Sequence, residues 1–185
     1  MAETITRYRV FIASPGGLED VRKAFRETIN AYNSEIDQLD RDATFLPMGW
    51  EETLGGIGRP QSLINEDIKK CDYLVLILKD RWGSLPDTID KICFSSACEE
   101  EYNVALKCLN DTSLPMRQII IFFKAVPPEQ LQDPGEQLKK VLAFRRKIEA
   151  DKKDFFHTFD EISKFRETLR LHLANWLCYH EKNKP

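Results

Sequence analysis

Short apolar runs and helix-spaced apolar positions alternate along most of this chain. Residues 8–13 (YRVFIA) form a run of strand-favouring residues that stops at the turn signal Ser14-Pro15-Gly16-Gly17. Beyond it Leu18, Val21, Phe25, Ile29, Tyr32 and Ile36 recur at spacings of three and four, which marks one face of an amphipathic helix. Residues 43–48 predict a second strand, ending in Gly49-Trp50. The segment 51–60 (EETLGGIGRP) holds three glycines and a proline and predicts a mobile loop, followed by a helix over 62–70. Residues 72–79 (DYLVLILK) and 117–124 (RQIIIFFK) are nearly all apolar, as expected of central strands covered on both faces. Helical spacing recurs over 96–110, 136–151 and 160–180, with a short strand over 155–158 between the last two.

Five strand-to-helix alternations predict one α/β domain, a three-layer sandwich with helices on both faces of a roughly five-stranded parallel sheet. Ligands of such sheets bind at the carboxyl ends of the strands, near the point where strand order reverses. The loops 14–17, 50–61 and 80–95 all leave predicted carboxyl ends, so they are expected to converge on one cleft.

At 185 residues the chain is long enough to bury a core as a single domain, and 42% hydrophobic with 31% charged residues is a globular composition. A net charge of -3 argues against a protein that coats nucleic acid. The charges at 139–153 include Lys139, Lys140, Arg145, Arg146, Lys147, Lys152 and Lys153, with Glu136, Glu149 and Asp151 among them, as on a solvated helix face. Five cysteines, without a CxxC pair or a Cys/His cluster at metal-ligand spacing, fit reduced thiols in a cytoplasmic setting. The longest apolar run is too short to cross a bilayer, and the start of the chain lacks a signal-peptide pattern. The glycines of LGGIGRP make neither a GxGxxG nor a P-loop, and no nucleophilic triad stands out. His157, His172 and His180 read as separate structural or surface residues.

The candidate chemistry lies in SSACEEEYNVAL, residues 95–106. Ser96-Ala97-Cys98-Glu99 has the form of a capping box, which accounts for Glu99. At ~100° per residue, Cys98, Tyr102, Ala105, Cys108 and Leu109 share one stripe, and Glu100 points toward solvent. Glu101 falls on the border of the buried stripe. It is either paired with Arg81 or another surface cation, or held there as a catalyst. Cys98 is either a packed thiol or one activated by the helix start. Trp50 and Trp82 are either packing residues or stacking platforms at strand ends.

Together VFIASPGGLEDVR, RPQSLINEDIKKCDYLVLILKDRWGS and SSACEEEYNVAL resemble the TIR-like family of domains that open bacterial and animal NTPase and TPR proteins, and more distantly TIR domains proper. The resemblance covers most of the first 125 residues. It implies a flavodoxin-like or TIR-like fold and cleavage of NAD between nicotinamide and ribose, with NAD as substrate and no further cofactor. The family's catalytic glutamate falls on Glu101, and its nucleotide-facing first loop on Ser14, Pro15, Gly16 and Gly17. Arg81, Trp82 and Ser84 fall in the loop after the third strand, and Trp50 opens the loop that reaches a neighbouring protomer in TIR assemblies. Ala97 stands where TIR domains usually carry tryptophan. The resemblance further implies activation by self-association, a role in defence or cell-death signalling, and an NTPase or repeat region beyond Pro185. Two other readings are a non-enzymatic adaptor that only oligomerises, and an enzyme like the nucleoside deoxyribosyltransferases.

Overall fold

A computed structural model describes residues 5–39, 41–53, 59–85, 94–151 and 155–182. Outside these lie most of the glycine loop (54–58), residues 86–93 of the loop expected over 80–95, with Cys93 among them, and Lys152 and Lys153 of the basic run. The order of elements is β1 (Thr6–Ala13), α1 (Glu19–Asp37), β2 (Ala43–Met48), a 3-10 turn (Trp50–Glu52), α2 (Pro60–Ile68), β3 (Tyr73–Leu78), α3 (Ala97–Leu109), β4 (Gln118–Lys124), α4 (Pro128–Gln132), α5 (Glu136–Asp151), β5 (Phe155–Phe159) and α6 (Ile162–Lys182). The short α4 has no counterpart in the apolar pattern. α2 begins two residues earlier than predicted because Pro60 takes the first helical position, where its missing N–H costs nothing.

All strand pairs are parallel, in the order β2-β1-β3-β4-β5, which is the flavodoxin-like arrangement. Strand order reverses between β1 and β3. The apolar runs follow from this topology: along β3, Tyr73, Val75 and Ile77 enter one core while Leu74, Leu76 and Leu78 enter the other. β1 and β4 alternate in the same way, so each of the three central strands needs apolar residues on both faces. α1 and α6 cover the first face; the second carries buried residues of α2, α3 and α5. Pro47 is tolerated because β2 is an edge strand. None of the described helices is long and apolar enough to cross a membrane.

The histidines depart from the sequence reading. Nε2 of His157 on β5 and Nε2 of His172 on α6 lie 2.8 Å apart. His180 stacks on Tyr8 at 3.5 Å between ring centroids and sits 2.7 Å from the Tyr73 hydroxyl. Burial pushes His172 and His180 down to about 4, so both rings are neutral in the fold at pH 7. An unfolded chain takes up protons near pH 6.5, before the folded chain does. The stability these rings give is therefore complete above about pH 6.5 and is lost as pH falls toward 4. The buried Glu101 carboxyl, raised to about 7, shifts stability the other way over this range, so the two rings' own share is read as wild type against variant in urea unfolding and is expected to be a loss on the order of 3 kcal/mol between pH 7 and pH 4.5. His172→Gln is expected to reduce that loss, and an equal loss in the variant would assign the acid sensitivity to other groups.

Candidate functional site

Two loops border the crevice where strand order reverses. The first, 14–17, follows β1, and Gly17 makes its turn with φ +86°, a conformation open to glycine at little cost. Its N–H donates to Glu19 Oε1 at 3.0 Å. The loop is held from below by Arg22, a residue the sequence reading passed over. Arg22 is 7% exposed and donates to Ser14 Oγ (3.1 Å), the Pro15 carbonyl (3.2 Å) and Glu19 Oε1 (3.1 Å), while its Nε faces Glu51 Oε1 at 2.9 Å. A cation set between Val21 and Phe25 of the apolar stripe, one turn after a Pro-Gly-Gly signal, was the available clue.

The second loop follows β3. Arg81 is exposed and lies against the first loop: a Cβ added to Gly16 or Gly17 would stand 3.9 Å from its guanidinium. Gly83 adopts φ +109°, and a Cβ there would meet Ser96 at 3.4 Å and the Cys98 sulfur at 3.6 Å. The start of α3 thus packs directly on this turn.

The α3 start shows why the chain sets three carboxylates in a row. Ser96 caps the helix by accepting the Glu99 N–H at 3.1 Å. Glu99 reaches back past the predicted cap amide to the Ser95 N–H (2.6 Å) and hydroxyl (2.7 Å), and Ser95 Oγ accepts from Trp82 Nε1 at 2.7 Å. Glu100, expected in solvent, is 4% exposed. It is ion-paired with Arg59 and accepts from Asn65 Nδ2 at 2.7 Å. One apolar stripe gives α3 a single packing face, whereas α2 supplies a second.

Glu101 is 6% exposed and is not paired with Arg81; its hydrogen bond comes from Gln61 Nε2 at 3.3 Å. Burial raises its carboxyl to about 7, opposed by the Gln61 donor and aided by the like charge of Glu100. Cys98 is packed, not activated: burial drives its thiol well above the ordinary range, and both Glu101 and Arg22 act on it electrostatically. The structure thus brings Arg81 against Gly16 and Gly17, while Glu101 is held by Gln61 of α2 and, among the described residues, is linked to the first loop only through Cys98, on which both Glu101 and Arg22 act.

Three candidates stand apart. Trp82 is 4% exposed, donates its backbone N–H to Gln137 Oε1 at 2.8 Å and packs on Phe144 at 5.1 Å, in the seam between α3 and α5. Trp50 is 50% exposed, on the turn after the edge strand β2. Ser84 is exposed and serves through its carbonyl, which accepts the Ala97 N–H at 3.0 Å. A cavity of about 710 Å³ between α3 and α5 has Trp82, Tyr102, Phe144 and Lys147 among its walls, but not Glu101. Among the described residues no group of histidine, cysteine and carboxylate side chains could hold a metal ion.

The family profile described as "Domain of unknown function (DUF4062)" matches residues 9–174. No curated protein matches the chain. Among solved structures, the chain is similar to translation elongation factor SelB from Methanococcus maripaludis with a GTP analogue, at 11% identity and a TM-score of 0.42. That match covers 94% of this chain but only 35% of the elongation factor, so the chain spans about a third of its length. It is also similar to general stress protein 14 from Treponema denticola in complex with FMN (10% identity, TM-score 0.35, 96% and 99% covered). An NADPH-quinone reductase from P. pentosaceus matches at 9% identity and a TM-score of 0.36, with 98% and 100% covered.

Proposed function

The chain belongs to the DUF4062 family, and from the chemistry of its crevice we propose that it is an NAD-cleaving domain, an NAD+ nucleosidase whose catalytic residue is Glu101. The observation that carries this reading is a nearly buried carboxylate without a cationic partner among the described residues, on the helix that follows β3, one of the two strands at the strand-order reversal. Structural carboxylates at such depth are paired, as Glu100 is with Arg59. A carboxyl raised to about 7 is suited to exchange a proton at neutral pH.

In the proposed reaction the bond between ribose C1′ and the nicotinamide nitrogen breaks. Its electron pair leaves with nicotinamide, which departs neutral and needs no general acid. Ionised Glu101 stabilises the oxocarbenium-like ribose and holds a ribose hydroxyl. Water then adds to C1′ and its proton passes to Glu101, giving ADP-ribose. Ser14, the Gly16 amide and Arg81 face the phosphates, and the Gly17 N–H does so only once it leaves Glu19. With Glu101 only 6% exposed, the isolated chain is in a closed state. Self-association opens and completes the site, as suits an effector of defence or cell-death signalling.

The test is incubation of concentrated protein with NAD, with and without a crowding agent, and chromatography of the products. Nicotinamide is expected in equal amount to the NAD consumed, at a rate per protein that rises with concentration. NAD left intact in the assembled protein would favour the adaptor reading, and cleavage of nucleosides but not NAD the deoxyribosyltransferase-like one.

A further inference from the structure

One hydrogen-bonded line crosses the seam between α2 and α3 and joins the two buried carboxylates. Glu100 is ion-paired with Arg59 and accepts from Asn65 Nδ2 at 2.7 Å. Asn65 Oδ1 accepts from Gln61 Nε2 at 3.3 Å, and the same nitrogen donates to Glu101 Oε1 at 3.3 Å. The directions along this line are not free. A carboxylate paired with a guanidinium only accepts, so Asn65 must turn its amino group toward Glu100. That leaves the Asn65 oxygen for Gln61, which must therefore present its own amino group, with one proton for Asn65 and one for Glu101. An acid proton on Glu101 Oε1 would confront that amino group, so the proton belongs on Oε2.

We propose that Gln61 is a positioning residue for Glu101, set in its donating orientation by Glu100 through Asn65, so that Glu101 takes up and releases its proton at Oε2. Only the use of Glu101 in catalysis rests on the NAD-cleaving reading; the line itself does not. α2 suits this role because Gln61 and Ile68 are its buried residues, so polar groups hold its first turns against α3. Among the described residues the ionisable groups around Glu101 are Glu100 and Cys98 from α3, with Arg59 of the start of α2 behind Glu100 and Arg22 of α1 beyond Cys98. The Cys98 thiol stays protonated through the neutral range, so Glu100 is the like charge and Gln61 the donor that compete over the Glu101 proton.

The experiment is a carboxyl-carbon NMR titration of protein labelled at glutamate, with the Glu101 signal identified by its loss in Glu101→Gln. In Gln61→Met, nearly equal in shape but without a donor, the Glu101 midpoint is expected to rise by about 0.5–1 unit. Gln61→Asn, which withdraws the amide by one methylene, is expected to move it the same way and serves if Gln61→Met folds poorly. In Glu100→Gln the midpoint is expected to fall. Simple loosening of the seam would hydrate Glu101 and lower the midpoint in every variant, so the rise is what a structural role cannot produce. An unchanged or lowered midpoint in both Gln61 variants overturns the proposal. Nicotinamide release from the same samples separates the two claims. If the midpoints move as expected in a protein that never cleaves NAD, the line stands and the function falls; if NAD is cleaved and the midpoints stay put, the line falls alone.

Discussion

Glu101→Gln is expected to make the protein more stable while removing the proposed NAD cleavage. In the native protein the Glu101 carboxyl is raised by burial to about 7, against an ordinary value of 4.5. Below pH 4.5 the group is neutral in both folded and unfolded chains, and glutamine changes little. As pH rises from there the unfolded chain loses its proton first, so the wild type forfeits stability until pH passes the folded value near 7. Glutamine keeps the shape and carries no charge. Its advantage should be absent at pH 4, grow through pH 5–7 and level off above, at a size on the order of 3 kcal/mol. A thermal midpoint higher by roughly 5–10 °C at pH 8 and unchanged at pH 4 would report it. Such a trade of stability for activity is expected where a fold keeps an unpaired acid for chemistry. A variant that is less stable than the wild type at pH 8 would make Glu101 a structural residue.

The second large effect concerns Arg22. Its guanidinium joins the first loop, α1 and the turn after β2 through Ser14, Pro15, Glu19 and Glu51, at 2.9–3.2 Å. Arg22→Met would fill the space but leave the Ser14 hydroxyl and the Pro15 carbonyl without their donor. The expected cost is about 3 kcal/mol in urea unfolding, because buried polar groups would lose a charged partner. Arg22→Lys should recover only part of this, since an ammonium cannot reach in several directions as the planar fork does. Arg26 is the internal control. It also meets Glu51, at 2.8 Å, but is more exposed, and Arg26→Met should cost about 1 kcal/mol or less. Equal costs at the two positions would show that Arg22 is an ordinary surface cation. The proposed NAD cleavage should fall with Arg22→Met as well, because the loop assigned to the phosphates in that reading loses its support.

The sheet was legible where burial is two-sided. In β3 and β4 both faces demand apolar residues, and the run itself marks the strand; β2 and β5, at the edges, have weaker patterns, β2 being bounded by Gly49-Trp50 and β5 placed by the helical segments on either side. The site was legible in part. Glu101 could be singled out because helical geometry turns it toward the core, and the Ser96 cap because its spacing is local. What the sequence could not show depends on neighbours distant along the chain. A single packing face on α3 leaves Glu100 in solvent, and it is Arg59 and Asn65, 41 and 35 residues earlier, that bury it. The His157–His172 pair joins a strand to a helix, and no periodicity within either element announces it. Trp82 lies at the end of a strand, as a stacking residue would, yet Phe144 and Gln137 of α5 draw it away from the crevice.

The acidic triplet of α3 therefore divides into three roles: Glu99 secures the helix start, Glu100 fixes α2, and Glu101, buried beside Gln61, is the proposed catalyst. The measurement that tests this division most directly is nicotinamide release from NAD by assembled wild type, Glu99→Gln and Glu101→Gln, side by side. Release by the wild type and by Glu99→Gln, with a fall of about 10²–10³-fold in Glu101→Gln, is the predicted result. Release by Glu101→Gln at the wild-type rate, or silence from all three proteins under conditions where they assemble, would contradict it.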